Sequence, residues 1–304
     1  MIAILLSTYN GARFLNEQLA SIHRQTGVDW QLWIRDDGST DQTLSILKNA
    51  VSQDPRLHLV SDQSNLGAAG SYLELMSSVG DAELYAFCDQ DDVWDPDKLD
   101  RAKRALSPYS ERPALYCTRQ RRVDSDLKPI GLSRLPKRAP SFANALVENI
   151  VTGCTVVLNR PALELLRQRL PNPGQVIMHD WWGYLVIAAF GTVIYDPQPS
   201  LAYRQHDSNT FGDRQGVVYW WERFKRVRVD WRNYPLPRQL EEFKRLWGEE
   251  LRPGQKQQLA TLLELMQPQR FRDRLSRLLK LEVTRQTVVD TFLCYLMLTI
   301  RGYR

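Results

Sequence analysis

Short apolar runs alternate with amphipathic stretches through most of residues 1–210. Residues 2–6 read as a strand, and Phe14, Leu15, Leu19 and Ile22 then recur at helical spacing. Residues 32–34 form a second short strand. Ser39-Thr40-Asp41-Gln42 matches a capping box ahead of the apolar Leu44, Ile46 and Leu47. Residues 57–60 give a third strand, 68–79 another helix and 84–88 a fourth strand. Strands handed off to helices in this way predict an α/β fold with a mostly parallel central sheet flanked by helices. In such sheets ligands bind at the polar loops on the carboxyl ends of the strands.

The alternation weakens over residues 111–140, where Arg119-Gln120-Arg121-Arg122 and the prolines Pro129, Pro136 and Pro140 predict a loop-rich insertion. Helical spacing returns at 142–149, followed by strands at 155–158 and 201–204. Beyond Tyr219 the pattern becomes successive helices broken at Pro235, Pro237, Pro253 and Pro268. The organisation expected is an α/β domain over 1–212 and a helical C-terminal extension over 213–304.

Charge separates the same two parts. Residues 211–304 carry 19 Lys and Arg against 11 Asp and Glu, so the rest of the chain is slightly acidic within an overall charge of +5. Cys88, Cys117, Cys154 and Cys294 lie far apart with no paired spacing, which suggests neither a disulfide framework nor a zinc site and fits reduced cytoplasmic thiols. Met1-Ile2-Ala3-Ile4-Leu5-Leu6 lacks a basic leader and breaks at once into polar residues, so it reads as a strand and not as a signal peptide. No apolar run reaches membrane-spanning length.

Asp89-Gln90-Asp91-Asp92 sets three carboxylates within four residues directly after an apolar strand. Such a cluster presents hard oxygen ligands to a divalent cation, or else forms a solvated turn before a helix opening at Pro96-Asp97. Three further loops follow expected strands: Ser7-Thr8-Tyr9-Asn10-Gly11, Asp36-Asp37-Gly38-Ser39-Thr40-Asp41 and Asn65-Leu66-Gly67. His179-Asp180-Trp181-Trp182 and Tyr203-Arg204-Gln205-His206-Asp207 lie downstream. In this order the motifs resemble those of the family 2 glycosyltransferases, which have the GT-A fold, and the resemblance covers about residues 1–210. The wording from Tyr203 to Gly212 is most similar to bacterial rhamnosyltransferases of lipopolysaccharide and surface-polysaccharide assembly.

The resemblance implies a role for each motif. Sugar transfer from a nucleoside diphosphate releases a diphosphate, whose charge Mg²⁺ or Mn²⁺ neutralises as a Lewis acid. Asp91 would hold that ion, with Asp89 and Gln90 nearer the ribose and the metal's waters. Asp37 would accept the imino N–H of uracil or thymine, although Asp36 and Asp41 can also simply cap a helix. Ser7, Thr8, Tyr9 and Asn65 would complete the nucleotide pocket, with Tyr9 either facing the base or packing on the sheet. Asp180 would be the base that deprotonates the acceptor, or else a helix cap. Trp181 and Trp182 are the acceptor candidates, one expected on a sugar face and one in the core. His206 would touch metal or diphosphate, or be structural. Arg204 would fork onto diphosphate oxygens, or form a surface ion pair.

The expected activity is metal-dependent, inverting transfer of L-rhamnose from dTDP-L-rhamnose to a lipid-linked bacterial glycan. The same fold with a UDP-hexose or UDP-N-acetylhexosamine donor, a nucleotidyltransferase, and a binding module without turnover are the rivals. Trp220-Trp221-Glu222-Arg223-Phe224-Lys225-Arg226-Val227-Arg228 mixes aromatic and basic residues as membrane-surface helices do. The apolar residues 288–300 either dock on the bilayer or pack on the extension's own helices, the commoner fate of apolar helices, and peripheral contact with the cytoplasmic face of the inner membrane is expected. Nucleic acid is not, because the positive charge lies outside any nucleic-acid motif.

Overall fold

Strands β1 (Ile2–Thr8), β2 (Trp30–Asp36), β3 (Leu57–Val60) and β4 (Leu84–Cys88) alternate with helices α1 (Leu15–His23), α2 (Thr43–Gln53) and α3 (Gly67–Ser78), as the apolar pattern predicts. The computed structural model describes residues 1–60, 64–206, 235–267 and 270–300. Every residue of β4 is buried, the mark of a strand covered on both faces. The capping box does not form: Gln42 stands at the α2 N-cap without a side-chain bond. Instead Asp41 accepts from the Thr43 N–H at 2.9 Å and the Ala12 N–H at 3.2 Å, while Ser39 donates to Asp36 at 2.6 Å. Asp41 thus caps the start of α2, as expected of it, and also ties the helix to the first loop.

The next elements are β5 (Val93–Trp94), α4 (Lys98–Leu106), β6 (Ala114–Thr118), β7 (Arg121–Val123) and β8 (Pro129–Leu132). The segment expected to be loop-rich thus holds three strands, each too short to show a period. Pro129 is tolerated because β8 is an edge strand. Then follow α5 (Phe142–Ala145), β9 (Val157–Asn159), α6 (Arg160–Gln168), α7 (His179–Phe190), β10 (Thr192–Asp196) and β11 (Leu201–Arg204).

Seven strands form the main sheet in the order β10-β6-β9-β4-β1-β2-β3. All neighbours are parallel except β9, which runs antiparallel to both β4 and β6. A second sheet, unforeseen in the sequence, has the order β5-β11-β7-β8 and flanks the carboxyl end of β4.

The described C-terminal residues form α8 (Leu236–Trp247), α9 (Pro253–Leu265), α10 (Phe271–Leu278) and α11 (Val288–Ile300). Leu240, Phe243, Leu259 and Leu262 join one continuous core with Leu163, Trp182 and Leu185. The 212/213 boundary and the Trp220–Arg228 stretch lie outside the described residues. Helix α7 is apolar on every side and nearly all buried, so it runs through the core and sets down its first turn at the sheet's ligand-binding edge.

Candidate active site

A cleft of about 2170 Å³ opens over the carboxyl ends of β1, β2 and β4, and Ser7, Tyr9, Asp37, Asn65, Asp89, Gln90, Asp91, Asp180, Trp181 and His206 all reach it. Three of the sequence candidates do not. Thr8 points into the protein and donates to Asp36 at 2.8 Å, as strand alternation between Ser7 and Tyr9 requires. Trp182 is fully buried and meets the Phe243 ring edge-on at 5.9 Å, so it is the core member of the tryptophan pair. Arg204 is also buried, and its guanidinium turns away from the cleft.

Arg204 donates to the Asp91 carbonyl at 2.8 Å, to the Ser125 carbonyl, and to Glu17 at 2.5 Å, with Phe14 beneath its guanidinium carbon at 4.4 Å. Neither a diphosphate clamp nor a surface ion pair describes it; it braces the acidic loop. Arg204→Lys replaces a planar fork by a point charge that cannot serve three separated acceptors. We expect a loss of about 1–3 kcal/mol in denaturant unfolding, because a buried cation would give up hydrogen bonds it makes through the fork. A diphosphate ligand would instead show weaker nucleotide binding at unchanged stability.

The loop after β4 is built from neighbouring elements. Tyr72 on α3 donates to Asp89 at 2.7 Å. Burial pushes the Asp89 carboxyl up to about 7, and the Asp91 charge adds to the shift. Asp91 pairs with His206 Nε2 at 2.8 Å. Gln90 accepts from the Tyr9 N–H at 2.9 Å and donates to the Tyr9 carbonyl at 3.0 Å, locking the first loop to the acidic one. Asp92 is buried beneath and accepts the Arg204 N–H at 3.1 Å.

Asp37 sits on the buried Arg35 and accepts from the Leu66 N–H at 2.8 Å and the Gly67 N–H at 2.9 Å. Gly67 has φ +70°, a conformation L-residues rarely adopt, which explains the glycine of the Asn65-Leu66-Gly67 turn. Ser7 bonds Ser71 at 2.7 Å beside them. Tyr9 is 49% exposed, so its ring is not packed on the sheet.

Asp180 stands in the first turn of α7. It accepts from the Gly153 N–H at 2.9 Å and the Trp181 N–H at 2.6 Å. Burial nevertheless raises its carboxyl to about 6 against those bonds. Trp181 lines the cleft and is anchored by its indole N–H to the Ala145 carbonyl at 2.7 Å. His179 stacks on Tyr72 with ring centroids 3.7 Å apart, and burial lowers it to about 3, holding it neutral. Tyr72, Gly153 and His179 therefore support the site without having been candidates. Only the adjacency of His179 to Asp180 gave a signal in the sequence.

Two carboxylates and an imidazole facing one cleft suit Mg²⁺ or Mn²⁺. A cation there would relieve the Asp89–Asp91 repulsion. Ligand atoms of Asp89, Asp92 and Cys154 also lie within 4.8 Å of one another. The Cys154 sulfur of this inner group is a soft donor, less suited to Mg²⁺ than the oxygen ligands facing the cleft.

The chain is 30% identical over 243 residues to a dTDP-rhamnosyl transferase, RfbG, of Shigella flexneri, covering 74% of this chain and 80% of that one. It is 26% identical over 164 residues, 54% of this chain and 62% of the other, to the UDP-Glc:alpha-D-GlcNAc-diphosphoundecaprenol beta-1,3-glucosyltransferase WfgD of Escherichia coli. The fold matches S. aureus TarS in complex with UDP at a TM-score of 0.59 and 16% identity, over 86% of this chain and 70% of that one. Residues 3–167 match the profile of Glycosyl transferase family 2, more than half of the chain, and the chain is a glycosyltransferase of that family.

Proposed function

We propose that the chain transfers L-rhamnose from dTDP-L-rhamnose, with inversion and with Mg²⁺ or Mn²⁺, to a lipid-linked bacterial glycan. One observation carries the reading: Asp37, the Asp89/Asp91 pair and Asp180 come from distant parts of the chain into one cleft. Asp180 takes the proton of the acceptor hydroxyl as its oxygen attacks the anomeric carbon. The bond to the diphosphate breaks on the opposite face, so inversion of a β-linked donor gives an α-linked product. Asp91 and His206, with Asp89, would hold the cation, which supplies charge neutralisation for the departing diphosphate. Tyr9, Ser7 and Asn65 surround the nucleoside beside Asp37, and Trp181 offers the acceptor a face.

The rhamnose assignment is supported by the relative named as a dTDP-rhamnosyl transferase. A UDP-hexose or UDP-N-acetylhexosamine donor is the second reading, favoured by the relative named for UDP-Glc and by the UDP complex with a similar fold. Saturation-transfer NMR with dTDP-rhamnose and UDP-sugars separates the two. Stronger transfer to the dTDP-sugar is expected, and stronger transfer to a UDP-sugar overturns the rhamnose assignment. A donor screen against extracted lipid-linked glycan, with and without EDTA, tests acceptor and metal together. The place of action proposed is the cytoplasmic face of the inner membrane; among the described residues no helix is long and apolar enough to cross a membrane.

A further inference from the structure

Helix α11 has two unlike faces. Cys294 and Leu298 are buried against the protein, while Val288, Val289, Phe292 and Leu296 are 74%, 56%, 65% and 39% exposed. These four fall within one arc of the helix. A cluster of large apolar side chains in water calls for a partner. The same helix begins at the mouth of the cleft, where Thr287 and Asp290 line the wall. Beside it the Arg138 N–H donates to Gln286 at 2.9 Å, fixing the 134–138 loop against the start of α11. That loop adds exposed Leu135 to the apolar surface, with exposed Arg134, Lys137 and Arg138 around it. Among the described acids nearby, Asp290 is buried and Glu148 is paired with Arg285 at 3.1 Å.

We propose that this rim, the outer face of α11 together with the 134–138 loop, docks on a bilayer of anionic lipids. Apolar side chains flanked by exposed cations match the two layers of such a surface, acyl boundary and negative headgroups. A second copy of the chain would leave the cations facing one another, which disfavours a dimer. Docking here turns the acceptor end of the cleft toward the membrane, where a lipid-linked glycan is held. That consequence rests on the acceptor class proposed above; the docking itself does not.

The test is co-sedimentation of the full chain with phosphatidylcholine vesicles, with and without phosphatidylglycerol, in the absence of donor and acceptor. Binding is expected only with phosphatidylglycerol, and it should weaken as salt is raised. Val289→Asp combined with Phe292→Asp should weaken it roughly tenfold or more, since both side chains leave the acyl boundary. Lys137→Glu combined with Arg138→Glu should weaken it by at least about fivefold and flatten the salt dependence. Nucleotide binding by each variant, read by saturation-transfer NMR, should match the parent and shows that the fold is retained. Equal binding to both vesicle types, or unchanged binding in both double variants, overturns the proposal. So does a dimer that Phe292→Asp dissociates while vesicle binding stays the same. Because no sugar transfer is read, failure here leaves the glycosyl-transfer reading untouched, and a failed transfer assay leaves the docking surface.

Discussion

Asp180→Asn is expected to lower kcat by about 10²–10⁴-fold while donor binding is retained, the loss typical of removing a positioned general base. The amide keeps the size of the side chain but cannot take a proton. Stopped-flow or endpoint transfer assays at saturating donor, with circular dichroism to verify the fold, make the measurement. Transfer at the parental rate would remove Asp180 as the base. A pH profile adds an independent reading. With the carboxyl at about 6, the base is protonated and idle below that value and ionised above it. kcat/KM should therefore climb through about pH 6 and level off, and the Asn variant should lose that limb. Stability runs the other way. The folded state keeps a proton on Asp180 that the unfolded chain releases near 3.8, so this group's contribution falls as pH rises from about 4 to about 6. The drop is roughly 3 kcal/mol at about 1.4 kcal/mol per pH unit.

Asp91→Ala is expected to be as damaging by a different route. It removes one carboxylate from the cleft together with the bond that carboxylate makes to His206. Charge neutralisation by a metal is worth several kcal/mol of barrier, so transfer should fall about 10³-fold or more. Mn²⁺ binding, followed by electron paramagnetic resonance with the nucleoside diphosphate present, should weaken in parallel. The Asp180→Asn variant should bind Mn²⁺ normally, which separates the two roles. Full activity of the parent protein in EDTA would take the metal from Asp91.

The loops of the site were legible in the sequence because each closes a strand whose apolar run is unmistakable. Residues 84–88, with Asp89-Gln90-Asp91-Asp92 behind them, are the clearest case. Other features were readable in part. Trp181 and Trp182 stand about 100° apart on a helix, so a division between cleft and core follows from geometry. Which one faces the cleft depends on Ala145 and Phe243, far away in the chain. Strand alternation alone separates Thr8 from Ser7 and Tyr9. The role of Arg204 was not readable, since Glu17, Asp91 and Ser125, which accept from it, are brought together by the second sheet. The strands of that sheet hold two to four residues each, too few to show a period. Helix α6 carries both a cap and an apolar stripe: Asn159 accepts the Ala162 N–H at 3.0 Å, Pro161 stands in the first turn, and Ala162, Leu163 and Leu166 are buried.

The antiparallel course of β9 has a consequence for how such an enzyme changes its acceptor. Because β9 lies next to β6 with Tyr116 opposite Val157, the chain leaves the sheet and re-enters it at adjacent points on one edge. The chain between them makes a closed excursion whose later part, from Phe142 on, packs in the core and reaches Asp180 through Asn149 and Gly153. Lengthening or exchanging residues 124–140, between β7 and that core part, leaves both anchor points where they are, and loop length itself costs little. If, as the proposed function has it, this segment meets the acceptor, acceptor recognition would be an exchangeable cassette while the donor half of the cleft stays fixed. A chimera that carries a relative's excursion should keep its nucleotide preference and take on that relative's acceptor.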